Sequence, residues 1–207
     1  MSGSYATIEG RATAEIVEKK SRFIGQIAHV ETEEEALAFL EGVRTAHRMA
    51  RHNVYAYVLR ANGRIRYSDD GEPQKTAGMP TLEAIQHAGL TDVAVVVTRY
   101  FGGILLGTGG LVRAYTAATQ AAIEAANVVV ISRCADVIAA LPYSLYEQAV
   151  RIIEAQGAKI RDTEFAADVT LTVRVLEGDE GALVDALTEL SNGKADIIVT
   201  DVFDAAF

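Results

Sequence analysis

The spacing of apolar and polar positions changes period along the chain, and each change marks an element. Residues 5–18 alternate loosely, with Ile8, Ala12, Ala14, Ile16 and Val17 as the apolar members, which predicts one strand. Lys19-Lys20-Ser21-Arg22 reads as a polar turn. Phe23 to Val30 alternates again, with Phe23, Gly25, Ile27 and His29 on one face, and predicts a second strand. The period then becomes helical. Thr32 caps a helix with Glu35 at the capping-box position, and Glu33, Glu34 and Glu35 load its first turn with charge that favours the helix dipole. Ala36, Leu37, Phe39, Leu40 and Val43 form its apolar face, and Arg44, His47 and Arg48 close it. His52–Leu59 predicts a strand, Asn62-Gly63 a hairpin turn, and Ile65-Arg66-Tyr67 a short returning strand. The loop from Ser68 to Pro80 is too long for a simple connection. A helix over Thr81–Ala88 follows.

The rest of the chain is organised around Thr91 to Tyr115. Val93–Val97 is an unbroken β-branched run, as expected of a strand buried on both faces. It ends in Arg99-Tyr100-Phe101, then meets five glycines in nine residues: Gly102, Gly103, Gly107, Gly109 and Gly110. An alanine-rich helix runs from Leu111 to about Ala126, with Thr108 as N-cap if the last glycines join its first turn. Strand, glycine loop and helix start together predict an anion or nucleic-acid site. Its candidate residues are Arg99, Tyr100, Gly102, Gly103, Gly107, Gly109, Gly110 and Arg113. The alternative is a tight crossover whose glycines serve packing alone. Neither a Walker loop nor a dinucleotide fingerprint fits, since no Gly-Lys-Ser/Thr follows and position 112 is Val112.

The last third repeats one pattern. Ala135–Leu141, Lys159–Phe165, Asp168–Leu176 and Asp196–Phe203 read as strands, and Ser144–Gln156 and Asp179–Ser191 as helices. The order β-α-β-β-α-β is that of the ferredoxin-like split unit. Charge shifts at the same place. Residues 1–133 hold 14 Lys/Arg and 14 Asp/Glu, whereas residues 134–207 hold 5 and 14. The whole excess of −9 therefore falls in the last third and predicts a boundary near Arg133, giving domains 1–133 and 134–207.

Within the neutral part, Arg44 to Arg66 contains six arginines, His47 and His52, and no acid. Tyr55, Tyr57 and Tyr67 are interleaved, a combination suited to phosphate and base contact. Arg51, His52 and Arg64 join the candidate site on this reading; the alternative is a face balanced in space by acids from elsewhere. Asp69, Asp70 and Glu72 offer Mg²⁺ ligands or simply an acidic turn. An EF-hand counted from Asp69 fails at Pro80, His47 and His52 lack zincin spacing, and no G-x-S-x-G elbow exists. Cys134, the sole cysteine, sits in an apolar strand and excludes an internal disulfide, as expected in a reducing cytosol. No apolar run approaches the ~20 residues of a membrane span, and no signal-peptide core follows Met1. No organic cofactor is implied.

Two motifs resemble those of the YigZ/Impact family. One runs from Arg99 to Gly107 and continues through Thr108-Gly109-Gly110-Leu111-Val112-Arg113-Ala114-Tyr115, similar to the bacterial branch. The other is Ser68-Asp69-Asp70-Gly71-Glu72-Pro73 with Thr76-Ala77-Gly78 and Pro80. Lys20-Ser21-Arg22-Phe23-Ile24 and Ala50-Arg51-His52 add to it. Gln74-Lys75 and Met79 depart from the usual pattern. The resemblance implies an α+β chain of two domains. The first would have the fold of the second domain of ribosomal protein S-five, and the second that of the fifth domain of elongation factor G, itself ferredoxin-like. Eukaryotic Impact proteins regulate translation. The expectation is thus a cytoplasmic binding protein of the translation apparatus that contacts RNA or the ribosome, with no membrane partner. An enzyme acting on a phosphorylated small molecule, through the glycine loop and an acidic metal site, is the alternative. A protein-interaction module using the acidic second domain is a third reading.

Overall fold

The valine run becomes strand β6 (Val93–Tyr100), and every residue of it but the last is buried. It is the central strand of a five-stranded antiparallel sheet. The others are β2 (Arg11–Glu18), β3 (Ser21–His29), β4 (His52–Leu59) and β5 (Arg64–Ser68), in the order β2-β3-β6-β4-β5. Helix α1 (Glu33–Ala46) packs on one face, where Ala94 and Val96 meet Ala36, Phe39, Leu40 and Val43. Helices α2 (Gly78–His87) and α3 (Thr108–Glu124) cover the other, where Val93, Val95 and Val97 meet Leu82, Ile85, Leu111 and Ala118. A strand covered on both sides has no use for polar alternation, which explains the run.

The computed structural model describes residues 3–207, which divide into two units, Tyr5–Val129 and one holding Val130–Phe207. The boundary falls inside β7 (Asn127–Leu141), so Ser132 and Arg133 lie within a strand. In the second unit β7 is central. It pairs with β9 (Val169–Leu176) on one side, and with β10 (Asp196–Val199) and β11 (Phe203–Ala206) on the other; β8 (Lys159–Phe165) adds beyond β9. Helices α4 (Tyr146–Ala155) and α5 (Glu180–Leu190) share one core with the inward residues of β7 and β9. Cys134 is fully buried, and burial pushes its thiol up, as befits an inert thiol.

Several boundaries and the exposure of one side chain differ from the sequence reading. The strand expected over 5–18 is two, β1 (Tyr5–Glu9) and β2, because the chain turns at Gly10. Helix α2 begins at Gly78, three residues early, since Asp69 accepts the N–H groups of Ala77 and Gly78 at 3.0 and 2.8 Å and so caps it. The last strand is broken into β10 and β11 around Thr200–Val202. Leu37 is 46% exposed, lying one step round α1 from its buried neighbours. The cap of α1 is as expected: Thr32 Oγ1 accepts from Glu35 N–H.

Candidate nucleic-acid interface

Period-two alternation sends the last residues of β6 to opposite faces. Arg99 follows Val95 and Val97 towards α3 and is 7% exposed. Its Nη1 donates to Glu72 Oε1 at 2.7 Å, and Tyr115 of α3 donates its hydroxyl to the same oxygen at 2.8 Å. Burial, then the Glu72 charge, pushes the Tyr115 phenol far above its ordinary range, so it stays a neutral donor. The Arg99 guanidinium also lies 5.4 Å from the Phe23 ring and 5.7 Å from that of Phe101. Arg99 is therefore an internal tie between β6, the 68–77 loop and α3, not a free anion ligand.

Tyr100 goes the other way. Its hydroxyl is 3.0 Å from His47 Nδ1 at the end of α1, and the Arg22 guanidinium stands 5.6 Å over its ring. His52 is registered opposite Arg99, and its Nδ1–H donates to the Asp70 carbonyl at 2.8 Å.

The acidic loop is tied inward as well. Asp69 accepts from Lys75, Ala77 and Gly78 N–H. Asp70 accepts from Arg44 Nη2 at 3.0 Å and Asn53 N–H at 2.6 Å. Glu72 holds Arg99 and Tyr115. Among the described residues no three His, Cys, Asp or Glu groups are placed to hold a metal ion, these included. Each of the three carboxylates serves backbone or side-chain donors of the protein.

The basic island splits. Arg64 lies at the far end of β4, paired with Leu59, and bonds Glu33 Oε2 at 2.7 Å. Seven residues of strand, at ~3.3 Å each, put about 23 Å between its level and that of His52. Arg66 and the Tyr57 hydroxyl share Glu33, and burial together with Glu33 pushes the Tyr57 phenol up to about 12. Arg60 pairs with Asp92. The acids that balance this half come from α1 and the β6 turn, a pairing that linear sequence does not show.

What collects at the other end of the sheet is a set of loops. A Cβ on Gly102 would sit 2.0 Å from the Lys20 carbonyl carbon, so the glycine loop lies directly on the Lys19-Lys20 turn, with Gly102 N–H donating to Ser21 Oγ at 3.1 Å. Gly107 occupies the N-cap of α3 at φ 74°, and Thr108 is already helical, contrary to the expected cap. Gly103 and Gly109 are exposed, and Gly110 packs against Leu106. Lys19, Lys20, Arg48, Arg51 and Arg113 are exposed and in no ion pair among the described residues. Exposed apolar side chains stand among them: Phe101 at 54%, Leu105 at 83% and Met49 at 88%. Lys19 and Lys20 escaped the sequence reading as a mere polar turn. The signal was their place immediately before the Ser21-Arg22-Phe23 segment, which the glycine loop grips.

Residues 19–123 match the Impact N-terminal domain, and residues 140–194 a domain of unknown function, DUF1949. The chain is 36% identical over 195 residues to the IMPACT family member YvyE of Bacillus subtilis, spanning 94% of this chain and 90% of that protein. The chain belongs to the IMPACT family. Family members similar to it include YigZ of Escherichia coli, 51% identical over 100 residues, 47% of this chain and 49% of YigZ. A solved structure described only as a hypothetical protein shares its fold at a TM-score of 0.62 and 31% identity, covering 97% of this IMPACT chain and 99% of the other. Among the described residues no helix of this family member is long and apolar enough to cross a membrane.

Proposed function

We propose that this IMPACT family member binds RNA, ribosomal RNA above all, through the loop end of its N-terminal unit. One observation carries the reading: Lys19, Lys20, Arg48, Arg51 and Arg113, exposed and in no ion pair among the described residues, share the loop end of the sheet and the start of α3 with exposed Phe101 and Leu105. Cations neutralise phosphates and an exposed aromatic offers a stacking face, with no need for sequence readout. The acidic excess of the second unit is no obstacle, because charges at ~150 mM salt are screened within ~8 Å. The partner implies a cytoplasmic protein acting in translation. The 4-1-3-2 strand order of the second unit, with both helices on one core, supports its ferredoxin-like reading. The enzyme alternative gains nothing from the acidic loop, whose carboxylates are engaged within the protein.

The test compares salt dependence. Losing two phosphate contacts in Arg51→Glu with Arg113→Glu should flatten the slope of log affinity against log salt by about 1.4 for single-stranded RNA. Arg64→Glu, at the far end of β4, should leave RNA affinity unchanged. Equal slopes for the wild type and the double variant would overturn the assignment.

A further inference from the structure

We infer that the N-terminal unit holds a small-molecule site for a compact carboxylate with an apolar body, in a recess between α1 and the outer strand β2. Helix α1 packs over β3, β6 and β4, through Ala28, Val96 and Leu59 among others. It leaves β2 bare: Arg11, Thr13, Glu15 and Val17, the residues of that strand on the same face, are all exposed. Between helix and strand lies a cavity of about 300 Å³, walled by Arg11 and Thr13 on one side and by Phe39, Gly42 and Val43 on the other, with Gln26 of β3 between them. A cavity of this size suits a small molecule.

Two features of the lining do nothing for the protein alone. Gln26 stands opposite Thr13 in β2 and Val96 in β6, and faces α1 as Ala28 does. Its Nε2 is shut off from solvent and has no hydrogen-bond partner, an orphaned donor that costs stability. The end torsion of a glutamine is broad, so a small turn presents that N–H to an acceptor in the cavity. Gly42 lies inside α1, where alanine would favour the helix. No close contact requires the glycine, since a Cβ there would meet nothing within 4 Å; its bare backbone keeps the recess open. The Arg11 guanidinium stands 5.4 Å from the centre of the Phe39 ring and is in no ion pair among the described residues. Among the described residues no carboxylate lines the recess. Glu15 is held by Arg22, and Glu31 and Glu35 line a neighbouring recess that shares Arg11 and Phe39. A carboxylate head therefore meets the Gln26 amide, the Thr13 hydroxyl and the Arg11 charge, while an apolar body rests on Phe39 and Val43. A cation finds no partner in the recess, and an uncharged molecule leaves Arg11 without one.

The experiment is an NMR titration of the isotope-labelled full chain with phenylacetate, its neutral amide and benzylamine. It follows the side-chain NH₂ signal of Gln26, identified by its loss in Gln26→Leu. Phenylacetate should bind saturably in the millimolar range, as befits so small a molecule, and should shift that signal. The amide should bind at least ~5-fold more weakly, and the amine not at all. Gln26→Leu, Arg11→Gln and Gly42→Leu, whose new side chain fills the recess, should each weaken phenylacetate at least ~5-fold. In urea unfolding Gln26→Leu and Gly42→Leu should be no less stable than the wild type, because one removes an orphaned donor and the other a helical glycine. Arg11→Gln, at an exposed position, carries the test should a recess variant unfold. Arg161→Gln, in the second unit, should bind as the wild type does. No saturable binding of phenylacetate, equal affinity for the amide or the amine, or unchanged affinity in Arg11→Gln or in a folded Gln26→Leu or Gly42→Leu would each overturn the site.

Discussion

Replacing Glu72 with alanine is the sharpest perturbation of the framework beneath the loops. The Arg99 and Glu72 side chains are 8% and 5% exposed, so the variant strands a guanidinium with no counter-charge and little water. Breaking a buried pair from one side costs about 3–5 kcal/mol. The Tyr115 hydroxyl also loses its acceptor, at ~1–3 kcal/mol for an orphaned buried donor. These losses overlap, so we expect at least ~3 kcal/mol, a large share of the ~5–15 kcal/mol typical of a domain. Arg99→Met with Glu72→Leu removes both charges, and we expect it to cost less than the Glu72→Ala single variant. The assay is urea unfolding of the full chain, with hydrogen exchange of the β6 amides identifying the transition of the N-terminal unit. A Glu72→Ala cost below ~1 kcal/mol, or a double variant as damaging as the two single variants summed, would refute the buried-tie account.

Gly102→Ala forces a Cβ to within 2.0–2.4 Å of the Lys20 and Ser21 backbone, which should cost ~1–3 kcal/mol by denaturation and lower RNA affinity as the loop lifts. A fragment starting at Val130 should give a dispersed amide spectrum, whereas one starting at Cys134 should lose order in β11, because Ile131, Ser132 and Arg133 supply three of its four pairing partners. Stability should fall as pH rises above 10: the unfolded Tyr57 phenol releases its proton near 10 but the folded one only near 12, so the native state holds more protons in that window. The slope is up to ~1.4 kcal/mol per pH unit for that group, and Tyr57→Phe should remove it in a pH series of urea midpoints.

Local chemistry made much of this fold legible. The Thr32 cap, the β4 span and the β8 span needed only neighbours in sequence, and the structure has them at the expected residues. The order of elements in the second unit was equally plain, since turns and periods agreed. What escaped depends on distant partners. Arg99 looked like a free cation because its partner Glu72 is 27 residues away, and Tyr115, which donates to the same carboxylate, is 16 away. Arg51 and Arg64 looked like one patch because a strand's length in space is hidden by its shortness in sequence. The acidic triad left a metal site and an acidic turn both open, because most of the donors that bind it are backbone N–H groups, which carry no letter in a sequence. The boundary expected near Arg133 from the shift in charge falls inside β7, because charge composition carries no record of strand pairing.

The central claim, RNA contact at the loop end, is most directly tested by co-sedimentation of the purified protein with ribosomes as salt is raised. The account predicts that the wild type pellets with ribosomes at ~50 mM salt and leaves them by several hundred millimolar, whereas Arg51→Glu with Arg113→Glu stays in the supernatant throughout. Wild type that never pellets, or a double variant that pellets equally well, would contradict it.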